Sequence, residues 1–158
     1  MKKHLLLFIF FLAISNSFLC AQDVIKLQSC KDTLIAKQAD SLKKVYGKLG
    51  YTVLKEASIM MESEYEMAVV VPLQERALYQ IVFIGDATSR LYELRMYDWE
   101  EKMVCYQKKM WGDVDGNIIS FSYSPQFSEF HMIKPVQVNK KKKKGLCGYV
   151  MLLQKTKA

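Results

Sequence analysis

Apolar and polar residues alternate in short runs from Met61 almost to the C-terminus, and turn residues separate the runs. Because successive side chains of a strand point to opposite faces, a period of two predicts half-buried β-strands. The predicted strands span residues 51–54, 65–71, 77–84, 91–97, 102–108, 117–123, 130–138 and 146–153. Seven or eight short antiparallel strands at this spacing predict a mainly β fold, a jelly-roll-like antiparallel β-sandwich of two sheets.

A single helix is predicted before the strands. Between Asp32 and Leu49 apolar residues recur at helical spacing with lysines between them, and Gly50 is placed to end the helix. The apolar positions are Leu34, Leu42, Val45, Tyr46 and Leu49. We expect this amphipathic helix to pack one stripe on a sheet. The alternative, a helix lying on a membrane surface, fits less well because the stripe is narrow and lacks a Trp or Phe anchor.

The N-terminus has the pattern of an export signal. Lys2 and Lys3 precede an apolar run over residues 5–14, and a cleavage point is predicted between Ala21 and Gln22. The run is too short for a stable membrane anchor, and no later stretch is long or apolar enough to be one. Cys20 raises the alternative of a lipoprotein, but bulky residues precede it.

The predicted organisation is therefore a signal peptide over residues 1–21, an N-terminal helical segment over 22–50 and a β-sandwich domain over 51–158. The mature protein is expected to be secreted or periplasmic.

Charge is concentrated in one place. The formal net charge is +7, and removal of Lys2 and Lys3 leaves +5. Five consecutive lysines account for that excess: Lys140, Lys141, Lys142, Lys143 and Lys144. Acidic and basic residues balance in the rest of the chain, which argues against a nucleic-acid-binding surface, where basic residues spread over a whole face. The lysine run is a candidate contact for an anionic envelope surface, and the alternative is a solvated, mobile turn.

Three cysteines, Cys30, Cys105 and Cys147, follow the predicted signal. In an oxidising compartment one pair can form a disulfide, and the alternative is three buried thiols. Because the chain has no C-x-x-C motif and no cysteine–histidine cluster, neither zinc binding nor thioredoxin-like chemistry is predicted. No cofactor is expected.

Several motifs occur in a recognisable order. They are Tyr79-x-Ile81-x-Phe83-x-Gly85-Asp86, Leu94-x-Met96-Tyr97-Asp98, Ile119-x-Phe121-x-Tyr123-x-Pro125, Phe130-x-Met132 and Gly148-Tyr149-Val150. This order, over residues 64–153, resembles the bacterial prepeptidase C-terminal-like β-sandwiches. The resemblance implies a sandwich fold and an exported protein. It implies no site residues, because Ser128-Glu129-Phe130 and the turn at 99–102 depart from the family's pattern.

Two acidic patterns suggest chemistry that further features do not support. Asp113-Val114-Asp115-Gly116-Asn117 has acids and a glycine at calcium-loop spacing, but the closing Glu is missing, so a hairpin turn is favoured over a surface calcium site. Glu62, Glu64 and Glu66 would share one strand face about 7 Å apart, a spacing usable in glycoside hydrolysis. One common environment would not separate their pKa values, which favours a solvated strand edge.

No catalytic constellation is predicted. His131 remains the only histidine after the predicted cleavage, and no nucleophile motif accompanies it, so we expect an exposed or partly packed structural residue. The protein is not expected to be an enzyme.

Aromatic residues suggest a binding role. Trp99, Tyr106 and Trp111 fall around one inter-strand region and form a candidate platform for sugar rings. The alternative is that they pack in the core and cover turns. We therefore predict a binding or accessory module of the cell envelope, with polysaccharide or another envelope component as ligand. The alternatives left open are a structural protein that pairs through a strand edge and a glycoside hydrolase using Glu62, Glu64 and Glu66.

Overall fold

The computed structural model describes residues 29–110, 112 and 116–156. The predicted signal peptide with Cys20 lies outside the described residues, and so do Trp111 and the first three residues of the candidate calcium turn. Among the residues described, a single helix precedes eight strands. The bounds are α1 Thr33–Lys48, β1 Tyr51–Met61, β2 Val69–Leu73, β3 Tyr79–Gly85, β4 Leu91–Tyr97, β5 Met103–Met110, β6 Ile118–Tyr123, β7 Glu129–Val138 and β8 Leu146–Lys155.

The strands form two four-stranded antiparallel sheets. Sheet 1 has the order β1-β8-β3-β6, and sheet 2 has the order β2-β7-β4-β5. Apart from the β4–β5 hairpin, each strand is followed in the chain by a strand of the opposite sheet. This is the double Greek-key arrangement of an eight-stranded jelly roll, so the predicted fold class is confirmed.

The main core lies between the sheets, and a second, smaller one lies outside sheet 1. Strand β3 contributes to both cores, and all seven of its residues are buried. Ile81 and Phe83 belong to the core between the sheets, whereas Val82 and Ile84 belong to the cluster under α1. A central strand covered on both faces reads as a continuous apolar run.

Helix α1 packs on the outer face of sheet 1 through a stripe that partly matches the one predicted, because Leu42 and Tyr46 pack there as expected. The Asp32 carboxylate caps the helix by accepting hydrogen bonds from the Leu34 and Ile35 amides. Ile35 and Ala39 are buried against the sheet, while Leu34, Val45 and Leu49 of the predicted stripe are exposed. The predicted helix is confirmed, but its buried stripe includes Ile35 and Ala39 in place of Leu34, Val45 and Leu49.

A disulfide joins Cys30 to Cys147 and ties the chain before α1 to strand β8. Cys105 is a free, half-buried cysteine, and burial raises the pKa of its thiol. Of the alternatives for the cysteines, the one with a single bridge is correct.

The region after Met61 is the largest departure from the predicted strands. The first strand extends over eleven residues to Met61, and the predicted strand over 65–71 begins only at Val69. The residues between them cross from sheet 1 to sheet 2, and Glu64 has a φ of 75°, which a strand cannot contain. Among the described helices none is long and apolar enough to cross a membrane.

Candidate binding site

Two turns at one end of the sandwich enclose a groove of about 520 Å³. One wall is the turn between β4 and β5, and the other is the segment between β6 and β7. We call this the end groove, and its lining residues are Asp98, Glu100, Lys102, Met103, Val104, Tyr123, Ser124, Gln126, Phe127 and Glu129. Its volume falls within the range of small-ligand pockets in proteins, about 300–1,000 Å³.

The first wall is a tight, hydrogen-bonded turn. The Asp98 amide donates to the Lys102 carbonyl at 3.0 Å, and the Lys102 amide donates to the Asp98 carboxylate at 2.9 Å. Glu101 has a φ of 60°, which turns the chain back into β5. Trp99 lies at the tip, between two groove-lining residues, and 69% of its surface is exposed. A fixed backbone therefore presents a large aromatic ring to solvent beside the groove.

The indole of Trp99 packs on Phe130 of β7. The ring centroids are 6.0 Å apart and the planes are inclined by 48°. Phe130 itself is 51% exposed on the outer face of sheet 2. The pair forms an aromatic ridge, defined as Trp99 and Phe130, whose members are next in the chain to the groove residues Asp98, Glu100 and Glu129.

The second wall is held by the loop between β2 and β3. The Arg76 amide donates to the Pro125 carbonyl and the Glu75 amide donates to the Ser128 hydroxyl, both at 2.9 Å. Phe127, in this segment, is 67% exposed at the groove. The segment is therefore anchored at both ends while its aromatic side chain stays open to solvent.

Beneath the groove, Tyr123 contacts His131. The Tyr123 hydroxyl lies 3.1 Å from His131 Nε2, and Glu129 Oε1 lies 3.6 Å from the same nitrogen. His131 is fully buried, so the expectation of an exposed or partly packed histidine is wrong: the residue alternates with Phe130 and faces the core. Burial raises the pKa of Tyr123, and the Glu129 and Asp98 carboxylates add to that shift.

The platform predicted from Trp99, Tyr106 and Trp111 stays a prediction. Trp99 and Tyr106 belong to the same β4–β5 hairpin, but Tyr106 lies opposite Arg95 in the strand register, whereas Trp99 packs on Phe130. Trp111 lies outside the described residues. Phe130 and Phe127 were missed by sequence reasoning. Because His131 was expected to be exposed or partly packed, the alternation along the strand gave no signal that Phe130 lies on the outer face.

The acidic stripe of the sequence is not a strand face. Glu62 pairs with Lys144 at 3.4 Å, and Glu64 pairs with Lys143 at 3.1 Å. Glu66 instead contacts Arg95 and Lys134 on the outer face of sheet 2. These carboxylates lie on a connecting loop with separate cationic partners. The common strand face predicted for them is wrong.

The lysine run is an ordered loop between β7 and β8. The Asn139 side-chain oxygen accepts hydrogen bonds from the Lys141 and Lys142 amides. The Ser63 amide donates a hydrogen bond to the Lys143 carbonyl at 2.7 Å. Lys142 also contacts the Asp86 carboxylate at 3.4 Å. Three of the five lysines therefore have acidic partners, and Lys140 and Lys141 project into solvent. An anionic-surface contact through Lys140–Lys144 stays a prediction.

Within the described ranges, no group of three or more His, Cys, Asp or Glu side chains is placed to hold a metal ion. In the candidate calcium turn, Gly116 has the positive φ of a turn residue and Asn117 hydrogen-bonds to Gln38 and the Gly85 carbonyl. The two aspartates of that turn lie outside the described residues.

No protein-family model matches the chain, and no curated protein matches it in sequence. Solved structures share a remote likeness. One described as "CBM4 structure and function" is 16% identical with a TM-score of 0.42, over 72% of this chain and 83% of the other. A second, described as "Bacillus endospore appendages form a novel family of disulfide-linked pili", is 11% identical with a TM-score of 0.39, over 68% of this chain and 91% of the other. The Glycosylation Associate Protein complex of Streptococcus agalactiae is 10% identical with a TM-score of 0.32, over 68% and 40%. Values this low indicate neither a function nor a site.

Proposed function

We propose that the protein is an exported, non-enzymatic binding module of the cell envelope and that it holds a saccharide in the end groove beside the aromatic ridge. The observation that carries the proposal is Trp99: its exposed ring stands on a tight turn whose neighbouring residues, Asp98 and Glu100, line a polar groove of about 520 Å³. Exposed tryptophans are uncommon on soluble proteins and are enriched at binding surfaces.

The chemistry of the groove suits a polyhydroxylated ligand. Ser124, Gln126 and Tyr123 offer hydroxyl and amide groups that both donate and accept hydrogen bonds. The aromatic ridge and Phe127 offer ring faces for the apolar C–H surface of a sugar. A groove with polar walls and aromatic edges can therefore bind a saccharide without deep burial.

Export is supported by two independent features. The Cys30–Cys147 disulfide is a kind of bond that persists in oxidising compartments. The pattern of residues 1–21 is that of a cleavable signal. The resemblance to prepeptidase C-terminal-like sandwiches belongs to this proposal at the level of fold and export.

The absence of catalysis also belongs to the proposal. The carboxylates considered for hydrolysis are dispersed, because Glu62 and Glu64 pair with lysines and Glu66 lies on sheet 2. Turnover of a panel of chromogenic glycosides by the purified protein would contradict this element of the proposal.

The test is a glycan array followed by calorimetric titration of the strongest array ligand. Trp99→Ala should weaken binding by about thirtyfold, the loss typical of an aromatic hot spot worth about 2 kcal/mol. Tyr65→Ala is the matched control, because Tyr65 is also highly exposed but lies on the loop at the opposite end of the sandwich. Unchanged affinity in Trp99→Ala would refute the groove as the binding site.

A further inference from the structure

The end groove carries more acidic than basic groups. Three of the ionisable side chains that line it are carboxylates, those of Asp98, Glu100 and Glu129, and one is an ammonium, that of Lys102. The carboxylates come from both walls, so the negative charge surrounds the groove instead of lying on one strand. A ligand placed here meets a net negative field.

That field reaches the floor of the groove. Burial is the largest cause that raises the pKa of Tyr123, and the Glu129 and Asp98 charges come next, ahead of Cys105. The Glu129 and Asp98 charges, one from each wall, therefore both reach the Tyr123 hydroxyl. Like charges on both walls of an open groove favour an incoming cation.

The field does not create a metal site, because no three acidic, His or Cys side chains of the described residues converge closely enough to hold an ion. The remaining groups of the groove are hydroxyls, an amide, aromatic rings and the aliphatic side chains of Met103 and Val104. Hydroxyls and an amide beside ring faces suit a sugar better than an extended basic peptide. The cation must therefore be carried by the saccharide itself.

We infer that the end groove selects saccharides that carry a free, protonated amine, as in oligosaccharides of unacetylated 2-amino sugars. This inference rests on the proposed function and names its ligand class. An ammonium supplies three N–H donors to the carboxylates, and such charge-assisted hydrogen bonds are about twice as strong as neutral ones. Acetylation removes the charge and leaves the sugar ring unchanged.

The test compares two ligands that differ only in acetylation. The full chain is titrated with the β-1,4-linked glucosamine pentamer and with its N-acetylated counterpart at about pH 5.5, where Asp and Glu are ionised. The glucosamine pentamer should bind at least about tenfold more tightly, and raising the salt from about 0.05 to 0.5 M should remove most of that advantage.

Variants separate this inference from the function beneath it. Glu100→Gln, on the exposed turn, and Glu129→Gln should each reduce the preference for the amine, while Glu62→Gln at the opposite end should leave it unchanged. Equal affinity for both pentamers would overturn the inference and leave saccharide binding intact. Binding of neither pentamer, with no saccharide found on the array, would overturn both. Pentalysine that binds as tightly as the glucosamine pentamer would overturn the assignment to a sugar.

Discussion

The Trp99 indole and the Phe130 ring lie 6.0 Å apart, centroid to centroid, although 31 positions separate them in the chain. Trp99 comes from the turn after β4 and Phe130 from the outer face of β7. The two strands are hydrogen-bonded neighbours in sheet 2, so the sheet itself brings the rings together. The exposed tryptophan is therefore held in place by a second aromatic residue.

Removing Phe130 should loosen this arrangement without unfolding the domain. In Phe130→Ala we expect saccharide affinity to fall several-fold, less than in Trp99→Ala, because the indole remains but loses its support. The free energy of unfolding should fall by about 0.5–1.5 kcal/mol, the range of an aromatic pair. Titration calorimetry and urea denaturation of the same samples measure both quantities. A Phe130→Ala loss of affinity larger than that of Trp99→Ala would show that Phe130 is the principal contact instead.

The disulfide should contribute strongly to stability, because it closes a loop of 117 residues. Replacement of Cys30 and Cys147 together by serine should lower the free energy of unfolding by about 2–5 kcal/mol. Cys105→Ser is the control, since Cys105 is free and only half-buried. Urea midpoints under oxidising conditions provide the measurement. A double variant as stable as the native protein would show that helix α1 is held by its packing alone.

Replacement by alanine should change stability in opposite directions at two glycine positions. A Cβ at Gly85 would lie 2.5 Å from the buried Tyr92 ring, whereas a Cβ at Gly47 in α1 meets nothing within 4 Å. Gly85→Ala should therefore destabilise the protein by about 1–3 kcal/mol through overpacking. Gly47→Ala should stabilise it by up to about 1 kcal/mol, because alanine is the better helix former. Thermal unfolding of the two variants should move in opposite directions, and parallel shifts would contradict the packing around Gly85.

Asp86 should contribute stability that depends on pH. Burial by itself would raise the pKa of this carboxyl, but hydrogen bonds from Thr88 and the Cys147 amide, together with the Lys142 charge, outweigh it and lower the pKa. A lowered folded-state pKa gives a contribution that is fully present above the ordinary Asp value of 3.8 and is lost as the pH falls through the lower folded value.

The comparison for this prediction is Asp86→Asn, which keeps the shape of the side chain but cannot titrate. The variant should be less stable at neutral pH, and its free energy of unfolding should decline less steeply below about pH 4. Urea denaturation at a series of pH values between about 2 and 7 provides the curves. Parallel curves for the two proteins would show that Asp86 is not the titrating group.

Much of this fold was predictable from the alternation of residues, because a period of two reflects strands directly. The extent of β1 and the late start of β2 were not. Glu64 takes a positive φ because Ser63 and Glu64 hydrogen-bond to the Lys143 and Gln137 carbonyls, more than 70 residues away. A local pattern cannot encode a partner at that distance.

The candidate site was predictable only to a limited extent, for the same reason. Trp99 was recognisable as a large aromatic residue in a polar turn. Its contact with Phe130, and the approach of Glu129 and Phe127 to the Asp98 turn, depend on which strands are neighbours in sheet 2. The pairing of the lysine run with Glu62 and Glu64 was not predictable, because the sequence presents each as a separate charged segment.

The most direct test of the central claim is to map the ligand on the protein by the backbone amide shifts of the full chain. The titrants are the glucosamine pentamer and its N-acetylated counterpart. We expect the largest shift changes at residues 98–103 and 123–130, the two walls of the end groove and the aromatic ridge. Shift changes confined to other surfaces, such as the lysine loop, or no changes with either pentamer or with any saccharide found on the array, would contradict saccharide binding at this groove.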